Sequence, residues 1–228
     1  QYWGNQPGTS GPVYVGAFVF MLFILGLFIV KGPIKWALFA ATVLSVLLSW
    51  GRNFMWFTDL FLDYMPMYAK FRTVASILVI AEFTIPLLAM LALKELLQNP
   101  KSLDEKVTVR ERVINFIFFT PLGAVATKRR DYLWISFALS AGCAFLFAIM
   151  PSVFFPDFVS NAELRALASI PSEYLTPLIS NLREIRISIF TADCWRSFFV
   201  ILAGTVVLVL ALLKKLQPKY AVALIFAL

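Results

Sequence analysis

Runs of apolar residues separated by short clusters of charge set the pattern of this chain. The first run extends from about Val13 to Val30, and Lys31-Gly-Pro-Ile-Lys35 leaves room only for a tight hairpin before the second, from about Trp36 to Trp50. Residues Gly51 to Phe71 are rich in aromatics but broken by Arg52, Asp59, Asp63, Pro66 and Lys70, which predicts an interfacial helix followed by a turn. A third run, about Thr73 to Leu97, carries Glu82 near its middle. Beyond a charged stretch from Lys94 to Arg112 lies an apolar segment, Val113 to Thr127, interrupted by Pro121 and Gly123. It is short against the roughly 20 residues a bilayer demands, so it is expected to be interfacial or re-entrant. The fourth run spans about Tyr132 to Met150 and the fifth about Ser197 to Leu213, ending in Lys214-Lys215. Between them, 151–196 is expected to be an outer loop with helices of its own, one capped by Asn161 and one opened by Pro171. The pattern predicts an all-α, polytopic transmembrane bundle of about five crossings (13–30, 36–50, 73–97, 132–150 and 197–213), with 98–130 as a cytoplasmic loop.

Composition agrees with this: 61% of residues are hydrophobic and 14% charged, with a mean hydropathy of +0.83, well beyond a soluble domain. Charge then orients the set. Placing Lys31, Lys35, the basic residues from Lys94 to Arg130 and those from Lys214 to Lys219 on one side collects thirteen, against seven on the other. By the positive-inside rule the richer side is cytoplasmic, and the net charge of +7 reads as inner-leaflet anchoring with no footprint for nucleic acid. The expected partner is the lipid bilayer. The chain opens at Gln1 and stops inside the apolar run Tyr220 to Leu228, and is read as an internal piece of a longer protein.

With no histidine, neither an imidazole zinc site nor a Ser/His/Asp triad can be built from this chain. Cys143 and Cys194 fall at different expected membrane depths, which argues against a disulfide. Chemistry must rest on carboxylates and arginines. Glu82 is the acidic residue inside a predicted crossing; such a group titrates and couples transport, or hydrogen-bonds to hold helices together near the Pro86 kink. Asp59 and Asp63 are four apart and Arg52 is seven before Asp59, so one continuous helix would align them as a site for a divalent cation or a lipid-linked phosphate, or as a solvated polar face. Arg72, at the outer mouth of the third predicted crossing, and Arg183, Arg186 and Arg196, at the end of the long outer loop, could form an anion cradle in which guanidinium forks match phosphate oxygens, or else snorkel at the interface. Asp193 and Arg196, three apart, suit a local ion pair.

Several stretches in order resemble the YfhO-type bacterial membrane proteins: Tyr2-Trp-Gly-Asn-Gln-Pro-Gly-Thr-Ser-Gly-Pro-Val-Tyr-Val-Gly16, Leu48-Ser-Trp-Gly-Arg52, Phe71-Arg72 and Thr191-Ala-Asp-Cys-Trp-Arg-Ser197. The resemblance implies a GT-C-like glycosyltransferase of the bacterial cytoplasmic membrane, taking a sugar from a polyprenyl-phosphate carrier at the outer face. It also implies a catalytic acid in an earlier loop than any present here, and it matches Arg72, Asp193 and Arg196 to family positions without assigning them roles. Two other readings stand beside it: a transporter or flippase with Glu82 as coupling carboxylate, and a non-catalytic scaffold of membrane assembly.

Overall fold

The computed structural model describes residues 14–65, 74–118, 125–155, 158–159, 161–167 and 171–227. Every regular element among them is helical: α1 (Ala17–Ile29), α2 (Ile34–Ser49), α3 (Met55–Tyr64), α4 (Leu78–Gln98), α5 (Val109–Phe118), α6 (Arg129–Ile149), the single turn α7 (Pro151–Phe154), α8 (Asn161–Leu167), α9 (Ser172–Leu212) and α10 (Pro218–Ala227).

Helix α1 lies at the centre, for a reason visible in its composition. Its sequence AFVFMLFILGLFI has no polar side chain, and a helix apolar on every side is stable only when surrounded. Met21 and Leu25 are completely buried, and α4, α6, α9 and α2 pack around α1, with α2 also against α4 and α6 against α9. Two glycines allow the closest approaches. A Cβ on Gly26 would stand 2.9 Å from the Leu88 Cγ and 3.0 Å from the Leu88 carbonyl oxygen, and one on Gly204 would enter the ring of Phe18. Small residues at helix crossings let backbones meet in this way. Hydroxyls add lateral bonds: Thr42 and Thr84 share a 2.7 Å hydrogen bond between α2 and α4, and Ser45 donates to the Ile77 carbonyl at 2.6 Å.

Outward faces are apolar too. Phe83 on α4 is 68% exposed and Phe199 on α9 58%, beside Val79, Trp134 and Val206. Among the described residues, two helices are long and apolar enough to cross a membrane, α6 and the Tyr174–Leu212 part of α9. Only 39% and 28% of their apolar windows are buried inside the structure, whereas a core helix of a water-soluble domain would be mostly covered; this surface suits hydrocarbon. Helix α1, at 13 residues, is shorter than the expected crossing 13–30, α2, at 16, is short against the roughly 20 residues a bilayer demands, and α4 carries Glu82, Lys94 and Glu95.

Two expectations change. Residues 151–196 are not a loop set apart from a crossing at 197–213, because α9 runs unbroken for 41 residues across that boundary. From Leu178 to Ala203 there is neither Gly nor Pro, so nothing stops the helix. At 1.5 Å per residue it is about 60 Å long, twice the thickness of a hydrocarbon core of about 30 Å. The stripe of Arg52, Asp59 and Asp63 is also broken: Arg52 belongs to a 3-10 turn (Gly51–Phe54), and Phe54, with φ −139° and ψ 58°, separates that turn from α3.

The segment 107–127 returns to where it starts. Val107 N–H donates to the Thr127 carbonyl and Arg129 N–H to the Glu105 carbonyl, each close to 3 Å, in a short antiparallel bridge. Residues 105–107 and 127–129 are therefore neighbours.

Candidate functional site

Sequence-distant charges converge at the end of the bundle where α1 stops and α6 starts. The Arg129 side chain is 8% exposed and pairs with Glu111 through Nη2 and, at 3.6 Å, with Glu105 through Nη1; Glu105 also faces Lys31 at 3.7 Å. Glu111 closes the first turn of α5 reciprocally with Thr108, accepting from its N–H at 3.0 Å while its own N–H donates to the Thr108 hydroxyl at 3.3 Å. Burial works to raise the Glu111 carboxyl, but the Thr108 N–H and the Arg129 guanidinium overcome it and hold the group below the usual carboxylate range. Beside this network Asn115 donates to the Tyr132 hydroxyl at 2.7 Å, and Tyr132 stacks on Phe28 at 4.8 Å. Lys35 reaches back to the Leu27 carbonyl at 3.0 Å and caps α1. The arrangement ties the α1–α2 hairpin, α5 and α6 together. The spacing Thr108-x-x-Glu111 is a capping-box signal in the sequence, but the Arg129 partners come from 18 residues or more away in the chain.

The opposite end holds the arginines read as phosphate candidates. Arg186 is engaged within the fold: Nη1 and Nη2 donate to the two Glu163 oxygens at 3.0 and 2.6 Å, and Nη1 also donates to the Phe158 carbonyl at 2.7 Å. Glu163, on α8, is the partner that charge counting alone passed over. Arg196 differs, since its pair with Asp193, at 3.2 Å, joins side chains 69% and 58% exposed. Trp195 stacks on Phe199 and meets Phe145 edge-on just beside that pair, an aromatic collar at the end of the apolar half of α9. Arg183 lies thirteen residues before Arg196 on the same helix, about 20 Å along the axis. A single phosphate therefore cannot bridge the two, and α9 spreads the arginines along a rod.

Glu82 lies in the second turn of α4, about 6 Å from its start at Leu78. With the 3-10 turn Val74–Ile77 leading directly into it, the helical run spans nearly the whole of the expected 73–97, and Glu82 is half-buried there with no hydrogen bond or ion pair to another described residue. Asp59 and Asp63 are both exposed on α3. No group of three or more His, Cys, Asp or Glu placed to hold a metal occurs among the described residues. Arg72 lies outside the described residues, as does the stretch 66–73 around it. Cys143 and Cys194 are free thiols.

No protein-family model, curated protein or solved structure matches this chain.

Proposed function

We propose that this chain is part of a multi-pass membrane domain in which α1, α2, α4, α6 and α9 cross the bilayer with the Arg129 end in the cytoplasm. In this reading the domain belongs to a GT-C-like glycosyltransferase that draws a sugar from a polyprenyl-phosphate carrier at the outer face. The membrane part is supported by apolar outward faces and by the gathering of Lys31, Lys106, Lys128 and Arg129 at one end. The observation that carries the donor site is Arg196. An ion pair this exposed is worth about 0–1 kcal/mol, so a phosphate can replace Asp193 on the guanidinium at little cost, whereas Arg186 is held by both oxygens of Glu163. The transporter reading has less support, because Glu82 has no hydrogen bond or ion pair to another described residue, whereas a transport site gathers polar groups from several helices.

Arg196→Lys keeps the charge and loses the bidentate fork. In the full-length parent, sugar transfer is expected to fall about tenfold or more, on the order of 1.4 kcal/mol, with membrane insertion unchanged. Transfer at the unsubstituted rate in that variant would remove Arg196 from the donor site.

A further inference from the structure

At the cytoplasmic end a groove of about 450 Å³ opens between the first turns of α6, the last turns of α9 and the 3-10 turn Pro100–Asp104. Leu133, Trp134, Val209 and Leu212 give it apolar walls, and Arg130 and Asp104 stand in its lining as exposed charges. Asp131 also lines it, but its Oδ2 already accepts from the Thr127 N–H, the Thr127 hydroxyl and the Lys128 N–H, all within 2.9 Å. That leaves one cation and one anion without a hydrogen bond or close ion pair among the described residues, the cation acting on Asp131 only through space, beside the apolar walls of the groove.

We propose that this groove holds one phospholipid of the inner leaflet with a zwitterionic aminoethyl phosphate headgroup, its phosphodiester on Arg130, its ammonium on Asp104 and one acyl chain along Leu133, Trp134, Val209 and Leu212. The lining selects the headgroup by charge. A guanidinium is suited to phosphate oxygens, and a carboxylate accepts hydrogen bonds from a primary ammonium but not from a quaternary one. An anionic glycerol headgroup brings no cation for Asp104 and meets its repulsion. The inference rests on the bilayer placement above and is independent of the glycosyltransferase reading.

Native mass spectrometry of the detergent-solubilised protein, given equal amounts of phosphatidylethanolamine, phosphatidylcholine and phosphatidylglycerol of identical acyl chains, reads this directly. One phosphatidylethanolamine should be retained at least fivefold over either competitor. Asp104→Asn should erase its advantage over phosphatidylcholine, and Arg130→Gln should lower retention of all lipids severalfold. Both side chains are exposed, so thermal midpoints should match the parent chain. Equal retention of the three lipids, unchanged selectivity in both variants, or a preference for phosphatidylglycerol that Asp104→Asn strengthens would each overturn the proposal. Alkaline carbonate extraction separates the two claims. A chain released from membranes would sink the bilayer placement itself, while one that stays in the membrane without headgroup selectivity sinks this inference alone.

Discussion

Gly26→Ala should destabilise the bundle by about 1–3 kcal/mol, because the added methyl meets a carbonyl that cannot move aside. Its Cβ would lie 3.0 Å from the Leu88 oxygen and 2.9 Å from the Leu88 Cγ, and Leu88 is completely buried at the centre of α4. Relief requires α4 to shift away from α1, loosening the central contact of the fold, which is the usual cost of overpacking. Gly142 on α6 is the internal control, since a Cβ there meets nothing within 4 Å. Gly142→Ala should leave stability unchanged or raise it by up to about 1 kcal/mol through helix propensity. Thermal unfolding in detergent micelles checks both. Equal midpoints for the two variants would mean that α1 and α4 do not cross as closely as described.

Arg129→Met should cost about 1–3 kcal/mol, between an exposed and a fully buried ion pair because Glu111 and Glu105 keep contact with solvent, and should expose the α5–α6 connection to protease. The loss follows from what stays behind: Glu111 and Glu105 keep their charges at the end of the bundle without the guanidinium that joins them. The pH dependence has a definite sign. Glu111 titrates below its ordinary value when folded, so its contribution is fully present above the usual carboxylate range and is lost as the pH falls through the lowered folded value. Glu111→Gln should flatten that acid limb, and Arg129→Met should weaken it. An acid limb identical in all three proteins would show that this network does not hold α5 to α6.

Much of the fold was legible because apolar blocks are long-range signals that need no partner to be read. The expected crossings at 13–30, 36–50 and 132–150 correspond to helices at Ala17–Ile29, Ile34–Ser49 and Arg129–Ile149. Their ends moved by a few residues where Gly16, Pro33 and Lys128 take the N-cap positions. The continuity of α9 was less visible. The sequence predicts a helix opened by Pro171 within the outer segment, and α9 does begin at Ser172; hydropathy does not show that it continues past Phe190 and Arg196 into the fifth apolar run, because no residue there breaks a helix.

The site was legible only in part, for a different reason. Asp193 and Arg196 are three residues apart and meet on their own helix, as local spacing suggests. The partners of Arg186 and Arg129 are set by tertiary structure: Glu163 lies 23 residues from Arg186 and Glu111 lies 18 from Arg129. A count of basic residues orients the bundle but is blind to the carboxylates beside them. The count of basic residues from Lys94 to Arg130 leaves out Glu105, Glu111 and Asp131, which organise that end of the bundle.

The central claim is that one end of this bundle faces the cytoplasm and that α9 carries Arg196 towards the other side. Impermeant thiol labelling of intact cells tests it most directly, with Cys143 and Cys194 replaced by serine and a single new cysteine at Ser180 or at Lys101, both exposed positions at opposite ends of the structure. The account predicts that Ser180→Cys reacts from outside and that Lys101→Cys reacts only after the cells are permeabilised. Labelling of Lys101→Cys in intact cells, with Ser180→Cys protected, would contradict it.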